Sequence, residues 1–297
     1  MTAVVHIFHD VPLDLILIQT VNGIVTGMIL ALVASGLTLI FGIMDVVNFA
    51  HGELFMLGAY VGVLVVTATG SFWLALVIAA LVIAVLGAAL QIVTLRPLIG
   101  RDPLNTILAT FGISLVLQNY ALWQFGPVAR KISEPISAQF TLFYLQYPWY
   151  RILIAVLSAA IIGALYLFLR YSKFGVWIRA TTQDRVMAQA MGIPVPLVYT
   201  GVFALGAAMA AASGVLFAPF GGVDHSMGLQ WVLEAFIVVV VGGMGNLAGS
   251  IVAAILISLI ESYAAIWLDP SQAVIVSFVV LILTLLFRPT GLFAAPR

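Results

Sequence analysis

The stretch Asn48-Phe49-Ala50-His51-Gly52-Glu53 sets an amide, an imidazole and a carboxylate close together between two apolar runs. Asn48 is a good N-cap for a helix beginning at Phe49, and Glu53 falls in its first turns, where a negative charge suits the helix dipole. A helix broken in this way and aimed into a protein interior offers unpaired backbone N–H groups to an anion such as a carboxylate. A plain capped turn at a surface would use the same residues. Depth decides between the two readings.

A second interruption, Gly242-Gly243-Met244-Gly245-Asn246, lies about two hundred residues further on in another apolar stretch and reads as a turn. Paired interruptions of this kind point to a solute pathway between membrane helices. Small residues also serve close helix packing, which is the competing reading for Gly242 and Gly243. Asn246 brings an amide that needs a partner.

The third stretch, 170–196, contains Phe174-Gly175, Arg179-Ala180, Gln183-Asp184 and Met191-Gly192-Ile193-Pro194. From Gln183 to Met191 it predicts a short helix with Val186, Met187, Ala190 and Met191 on one side and Arg185 with Gln189 on the other. Gly192 can end that helix in a left-handed cap, and Pro194 forbids its continuation. A short amphipathic helix can dock in a groove of a partner protein. Lying on lipid is the alternative, weakened by Asp184 and by sparse positive charge.

Several chemistries are missing. The only lysines are Lys131, followed by Ile132, and Lys173, followed by Phe174, so there is no GxxxxGK[ST] phosphate loop and no ATP hydrolysis by the chain itself. Neither HExxH nor GxSxG occurs. The histidines, His6, His9, His51 and His225, are too scattered for a metal site, apart from a surface pair near the N-terminus.

The elements that must position these residues follow from composition. Of 297 residues 64% are hydrophobic and 7% charged, against about a quarter charged in soluble domains. Stretches 15–44, 54–95, 103–129, 152–169, 186–223, 235–260 and 271–287 hold no Asp, Glu, Lys or Arg. Each reaches or approaches the roughly 20 residues of a membrane-crossing helix, and 54–95 can cross twice, turning at Gly70-Ser71. The reading is an all-α polytopic membrane protein of about eight or nine segments, in a single domain over 1–297. Broken or re-entrant helices are expected near 43–53 and 242–250. The alternating ten-residue pattern of a β-barrel is absent, zero net charge argues against nucleic acid, and Met1 to Asp14 lacks the basic start of a secretory signal.

Eight of the eleven basic residues fall at Arg96 and Arg101, at Arg170, Lys173, Arg179 and Arg185, and at Arg288 with Arg297. The positive-inside rule places those three segments on the cytoplasmic face. Loop 127–151, with Tyr144, Tyr147, Trp149 and Tyr150 as an interfacial belt, then lies outside. Parity requires an even number of crossings between Pro196 and Arg288, so 231–267 cannot be one straight span. The same count places the N-terminus outside.

Taken together, these features resemble the permeases of the hydrophobic amino-acid uptake class of ABC importers, of the branched-chain amino-acid LivH type. The residues that carry the resemblance are Gly36-Leu37-Thr38-Leu39-Ile40-Phe41-Gly42, Asn48 to Gly52, Met56-Leu57-Gly58-Ala59-Tyr60, Arg179-Ala180 with Gln183-Asp184, Met191-Gly192-Ile193, Gly242 to Asn246 and Arg288-Pro289-Thr290-Gly291-Leu292-Phe293. The resemblance implies a multi-pass protein of the bacterial inner membrane. Its implied partners are a second homologous permease subunit, two cytoplasmic ATPase subunits that hold ATP and Mg, and a periplasmic substrate-binding protein; the chain itself would bind no cofactor. The loop 170–196 would be the coupling segment, with Arg179, Gln183, Asp184, Met187, Ala188, Met191 and Gly192 at the ATPase. The acidic start usual in such loops is replaced by Gln183-Asp184. Asn48, His51, Gly52, Glu53, Gly242, Gly243, Gly245 and Asn246 are expected to line the pathway. Urea, short amides and aromatic acids are alternative cargoes within the same permease type.

A different class, an ion-coupled secondary transporter or channel, would use Glu53, Glu234 or Glu261, all in or beside apolar segments. A third, an intramembrane enzyme or structural anchor, finds no visible catalytic cluster.

Overall fold

The computed structural model of the chain describes residues 12–142 and 145–293. His6, His9, Tyr144 and Arg297 lie outside the described residues. Eleven helices and one hairpin make up the described fold: α1 Leu13–Met44, α2 His51–Thr69, α3 Phe72–Leu90, α4 Pro103–Phe125, β1 Gln139–Leu142, β2 Leu145–Pro148, α5 Trp149–Tyr171, α6 Lys173–Gln183, α7 Arg185–Ala190, α8 Val195–Gly221, α9 Met227–Gly242, α10 Leu247–Ala264 and α11 Pro270–Phe287. A π turn at Gln91–Leu95 and a 3-10 turn at Arg96–Leu98 continue α3.

The helices begin and end where local chemistry requires. The side chains of Ser71, Asp102, Ser172, Asp184 and Asn246 each accept a hydrogen bond from a backbone N–H in the first turn of α3, α4, α6, α7 and α10, satisfying donors that have no partner inside the helix. Gly70, the split point expected between two spans, takes a left-handed conformation that closes α2 and turns the chain into α3.

Seven helices, counting α3 through Leu98, are long and apolar enough to cross a membrane; the shorter apolar stretches Met227–Gly242 and Gln272–Phe287 make nine segments. The polytopic helical fold expected from composition is therefore present. The antiparallel hairpin β1–β2, pairing Gln139 with Pro148 and Phe140 with Tyr147, was not anticipated. It occupies the aromatic loop placed outside, where no lipid forces the backbone into a helix.

The core forms around α8, which packs against α1, α2 and α3. Backbones approach closely at small residues: a side chain at Gly58 would collide with Ala211, and one at Gly36 with the Gly206 carbonyl. Without water, membrane helices associate through such close packing. The helix α10 runs antiparallel along α1, with Gly23 against Leu259, Gly27 against Ile255 and Thr38 donating to Ser250 at 2.8 Å. In α1 and α8, 78% and 72% of the apolar window is buried, against 22% in α3, α4 and α5, so the latter three form the flank open to lipid or to a partner.

The two expected interruptions both exist. The first helix ends at Met44 and the next begins at His51, while α9 and α10 are separate helices joined through Gly243 and Gly245, both at positive φ. The stretch 231–267 is accordingly not one straight helix but is divided between α9 and α10.

Candidate functional site

Six residues, 45–50, connect α1 to α2. Asp45 takes a left-handed conformation with φ 52° and turns the chain back along the bundle. The helix then starts at His51, with Ala50 at the N-cap position. Sequence reasoning put that start at Phe49 with Asn48 as cap. Instead, Asn48 Oδ1 accepts from the Ala50 N–H at 3.1 Å in a local turn, a use of the amide that competes with helix capping.

Contacts fix the depth of this start. The His51 Nε2 lies 3.1 Å from the carbonyl of Val33, eleven residues before the end of α1 at Met44, or about 16 Å along the axis at 1.5 Å per residue. Donation to a carbonyl puts the imidazole proton on Nε2, and Nδ1 is buried without a partner. The second helix thus begins alongside the interior of α1 rather than at its end.

Glu53 points elsewhere. Its Oε1 accepts from Ser114 Oγ of α4 at 3.0 Å, whereas Oε2 is buried and unpartnered. The carboxyl group also sits against Gly228, in the first turn of α9, where a Cβ would clash with it. A helix N-terminus offers positive potential to such a group. Asn48, His51 and Glu53 are all buried, with 1%, 0% and 1% of their surface exposed, and each keeps one polar atom unpaired: Nδ2, Nδ1 and Oε2. Buried polar atoms are nearly always satisfied, so this concentration marks the segment as other than a surface turn. Gly52 packs its backbone on the Gly228 carbonyl.

A neighbouring feature escaped the sequence reading. Thr106, Thr110 and Ser114 are buried on one face of α4, four residues apart. The Phe49 N–H donates to Thr110 Oγ1 at 3.3 Å, and Thr106 lines a crevice of about 230 Å³ between Asp45, Arg101 and Arg185. A row of hydroxyls therefore climbs from that crevice to Glu53. Its i, i+4, i+8 spacing in an apolar helix was the available signal.

The 242–246 turn lies apart from Glu53, at the end of the bundle that carries Asp45. Gly245 packs against Gly42, and Gly242 against the backbone of Ser250. Both functions of the Asn246 amide are taken: Oδ1 accepts from the Gly249 N–H at 3.0 Å, and Nδ2 donates to the Phe293 carbonyl at 2.7 Å.

In 170–196, α6 and α7 meet at Asp184, whose extended backbone breaks the helix and whose Oδ1 caps Met187 N at 2.9 Å. Arg179 donates to the Leu169 carbonyl, so it ties α6 to the end of α5. Ala188 is buried, whereas Val186, Met187 and Met191 are 76%, 59% and 76% exposed; Gln183 is exposed too. Gly192, at φ 82°, closes the turn, with Ile193 N–H returning to the Ala188 carbonyl at 3.0 Å.

A sequence profile of the family described as "Branched-chain amino acid transport system / permease component" matches residues 19–285. The chain is 32% identical to the high-affinity branched-chain amino acid transport system permease protein LivH of Escherichia coli, over 94% of this chain and 96% of that protein. It is 30% identical to the protein of the same description, BraD, of Pseudomonas aeruginosa, at the same coverage. A more distant similarity, 27%, extends over 94% of this chain and 71% of Escherichia coli LivM, also a permease of that system. No solved structure matches at a significant level. With profile and relatives agreeing over nearly the whole length, the chain belongs to the permease component family of branched-chain amino acid transport systems.

Proposed function

We propose that the chain forms part of the translocation pathway of an ATP-driven importer for branched-chain or other hydrophobic amino acids, in a bacterial inner membrane. It works as a translocation subunit without an ATPase site of its own. A second permease subunit of the same family completes the membrane part, in keeping with the similarity to both LivH and LivM. Two cytoplasmic ATPase subunits, holding ATP and Mg, power it, and a periplasmic binding protein delivers the solute.

The observation that carries this reading is the buried, part-unsatisfied segment Asn48 to Glu53 at the broken entry to α2. Together with Thr110 and Ser114 it offers a zwitterionic solute polar partners in an otherwise apolar bundle, and ionisable residues at such depth mark solute paths. The Gly242 to Asn246 turn lines the cytoplasmic end of that path.

Coupling falls to 170–196. Three exposed apolar side chains on α7 and its C-cap, outside the spanning helices, fit a groove in a partner protein. ATP binding that closes the paired ATPases would move α6 and α7, and its different affinity for the two conformations supplies the shift in population. Reconstitution tests the proposal: the complete complex in liposomes takes up leucine only with ATP and all partners. Uphill uptake by this chain alone in ion-loaded liposomes would overturn it in favour of an ion-coupled carrier using Glu53, Glu234 or Glu261.

A further inference from the structure

A second crevice, of about 590 Å³, opens beside Asp45 on the face assigned to the cytoplasm, and Arg185, Thr181 and Thr182 line it with Phe41, Ile43 and Met244. Its charged groups come from different elements. Asp45 is the left-handed residue that ends α1, Arg185 opens α7, and Thr181 stands near the end of α6.

The polar groups are not used up by one another. Arg185 rests on the Tyr199 ring, 5.4 Å from its centroid, and among the described residues no ion pair joins it to Asp45. Thr181 is 4% exposed and its hydroxyl is buried without a partner. The neighbouring Tyr199 hydroxyl is likewise buried and unpartnered. Asp45 is also the only described residue other than glycine at positive φ, a conformation that proteins retain at functional sites.

A cation, an anion and an apolar wall in one crevice match the three parts of a free α-amino acid, with the buried Thr181 hydroxyl behind them. We infer that this crevice binds such an amino acid from the cytoplasmic side, Arg185 holding its carboxylate, Asp45 its ammonium group, and Phe41, Ile43 and Met244 its side chain. The inference rests on the amino-acid reading above and extends it. Because Thr181 and Arg185 belong to α6 and α7 while Asp45 belongs to the entry of the 45–50 segment, the bound molecule bridges the coupling segment to the pathway. Accumulated product thereby restrains the coupling helix and slows further import.

The test uses the complete complex in liposomes with ATP trapped inside, with or without unlabelled leucine trapped alongside. Uptake of labelled leucine is expressed relative to each variant's own rate without trapped leucine. Trapped leucine is expected to slow the wild type severalfold, with the half-inhibitory concentration raised at least tenfold in Asp45→Asn, Arg185→Gln and Thr181→Val. Asparagine tolerates the left-handed backbone at position 45, so the first variant keeps the fold. Equilibrium dialysis of labelled leucine against the detergent-solubilised complex, without binding protein, should show the same tenfold weakening. Unchanged inhibition in all three variants, or none in the wild type, overturns the site. Failure of the wild type to import leucine even without trapped leucine overturns instead the reading beneath it.

Discussion

Glu53 has one carboxyl oxygen satisfied by Ser114 and one without a partner, against the first turn of α9. That asymmetry suits a group that trades a weak internal contact for a passing ligand. Glu53→Leu is expected to lower ATP-driven uptake at least tenfold while the complex still assembles, which uptake and size-exclusion profiles of the same preparation check together. Asn48→Leu should act in the same direction. Ser114→Ala removes the only hydrogen bond to the Glu53 carboxyl among the described residues and costs about 1–3 kcal/mol for the group left unsatisfied; a lowered Tm of the purified chain reads it. At this scale Asn48, His51 and Glu53 were legible in the sequence because polar residues between apolar runs are conspicuous. Ser114 and Thr110 were not, since a hydroxyl in a membrane helix usually bonds its own backbone and gives no sign of a distant partner.

Among the elements, α7 makes the sharpest demand on a partner, since the seven residues between Asp184 and Gly192 hold Val186, Met187 and Met191 outward. Met191→Glu is expected to raise ATP consumed per leucine imported severalfold without loss of protein, measured as the ratio of phosphate release to uptake. Asp184→Leu should do likewise, because it removes the cap that starts α7 at a cost of about 1 kcal/mol. The end of α7 was readable from Gly192 and Pro194, but its start was misplaced at Gln183, which closes α6; Asp184 breaks the helix there and caps one that begins at Arg185. The start of α2 was misplaced by two residues because Asn48 turns the chain locally, and the β1–β2 hairpin was missed because an aromatic loop carries no alternating pattern strong enough to set register.

For the whole molecule, charge-free stretches and the parity of basic loops sufficed to give a polytopic bundle of eight or nine segments and the split between α9 and α10. Which helices are central was hidden, because in a chain this apolar lipid-facing and core positions look alike. Small residues resolve that question. Gly58→Leu is expected to abolish recovery of folded protein after detergent extraction, since the side chain would enter the backbone of Ala211. Gly112→Ala, on open α4 surface with no atom within 4 Å, should leave yield unchanged, and comparing the two by fluorescence-detected gel filtration separates packing from general intolerance.

The meeting of Gly52 with Gly228 restricts how such a machine can move. Their backbones abut with no space for even a methyl group, so neither short helix can slide past the other without first separating. An opening that keeps this contact moves α2 and α9 together, and the bending then falls on the 45–50 and 222–226 linkers, where a stiffening proline is expected to slow the cycle.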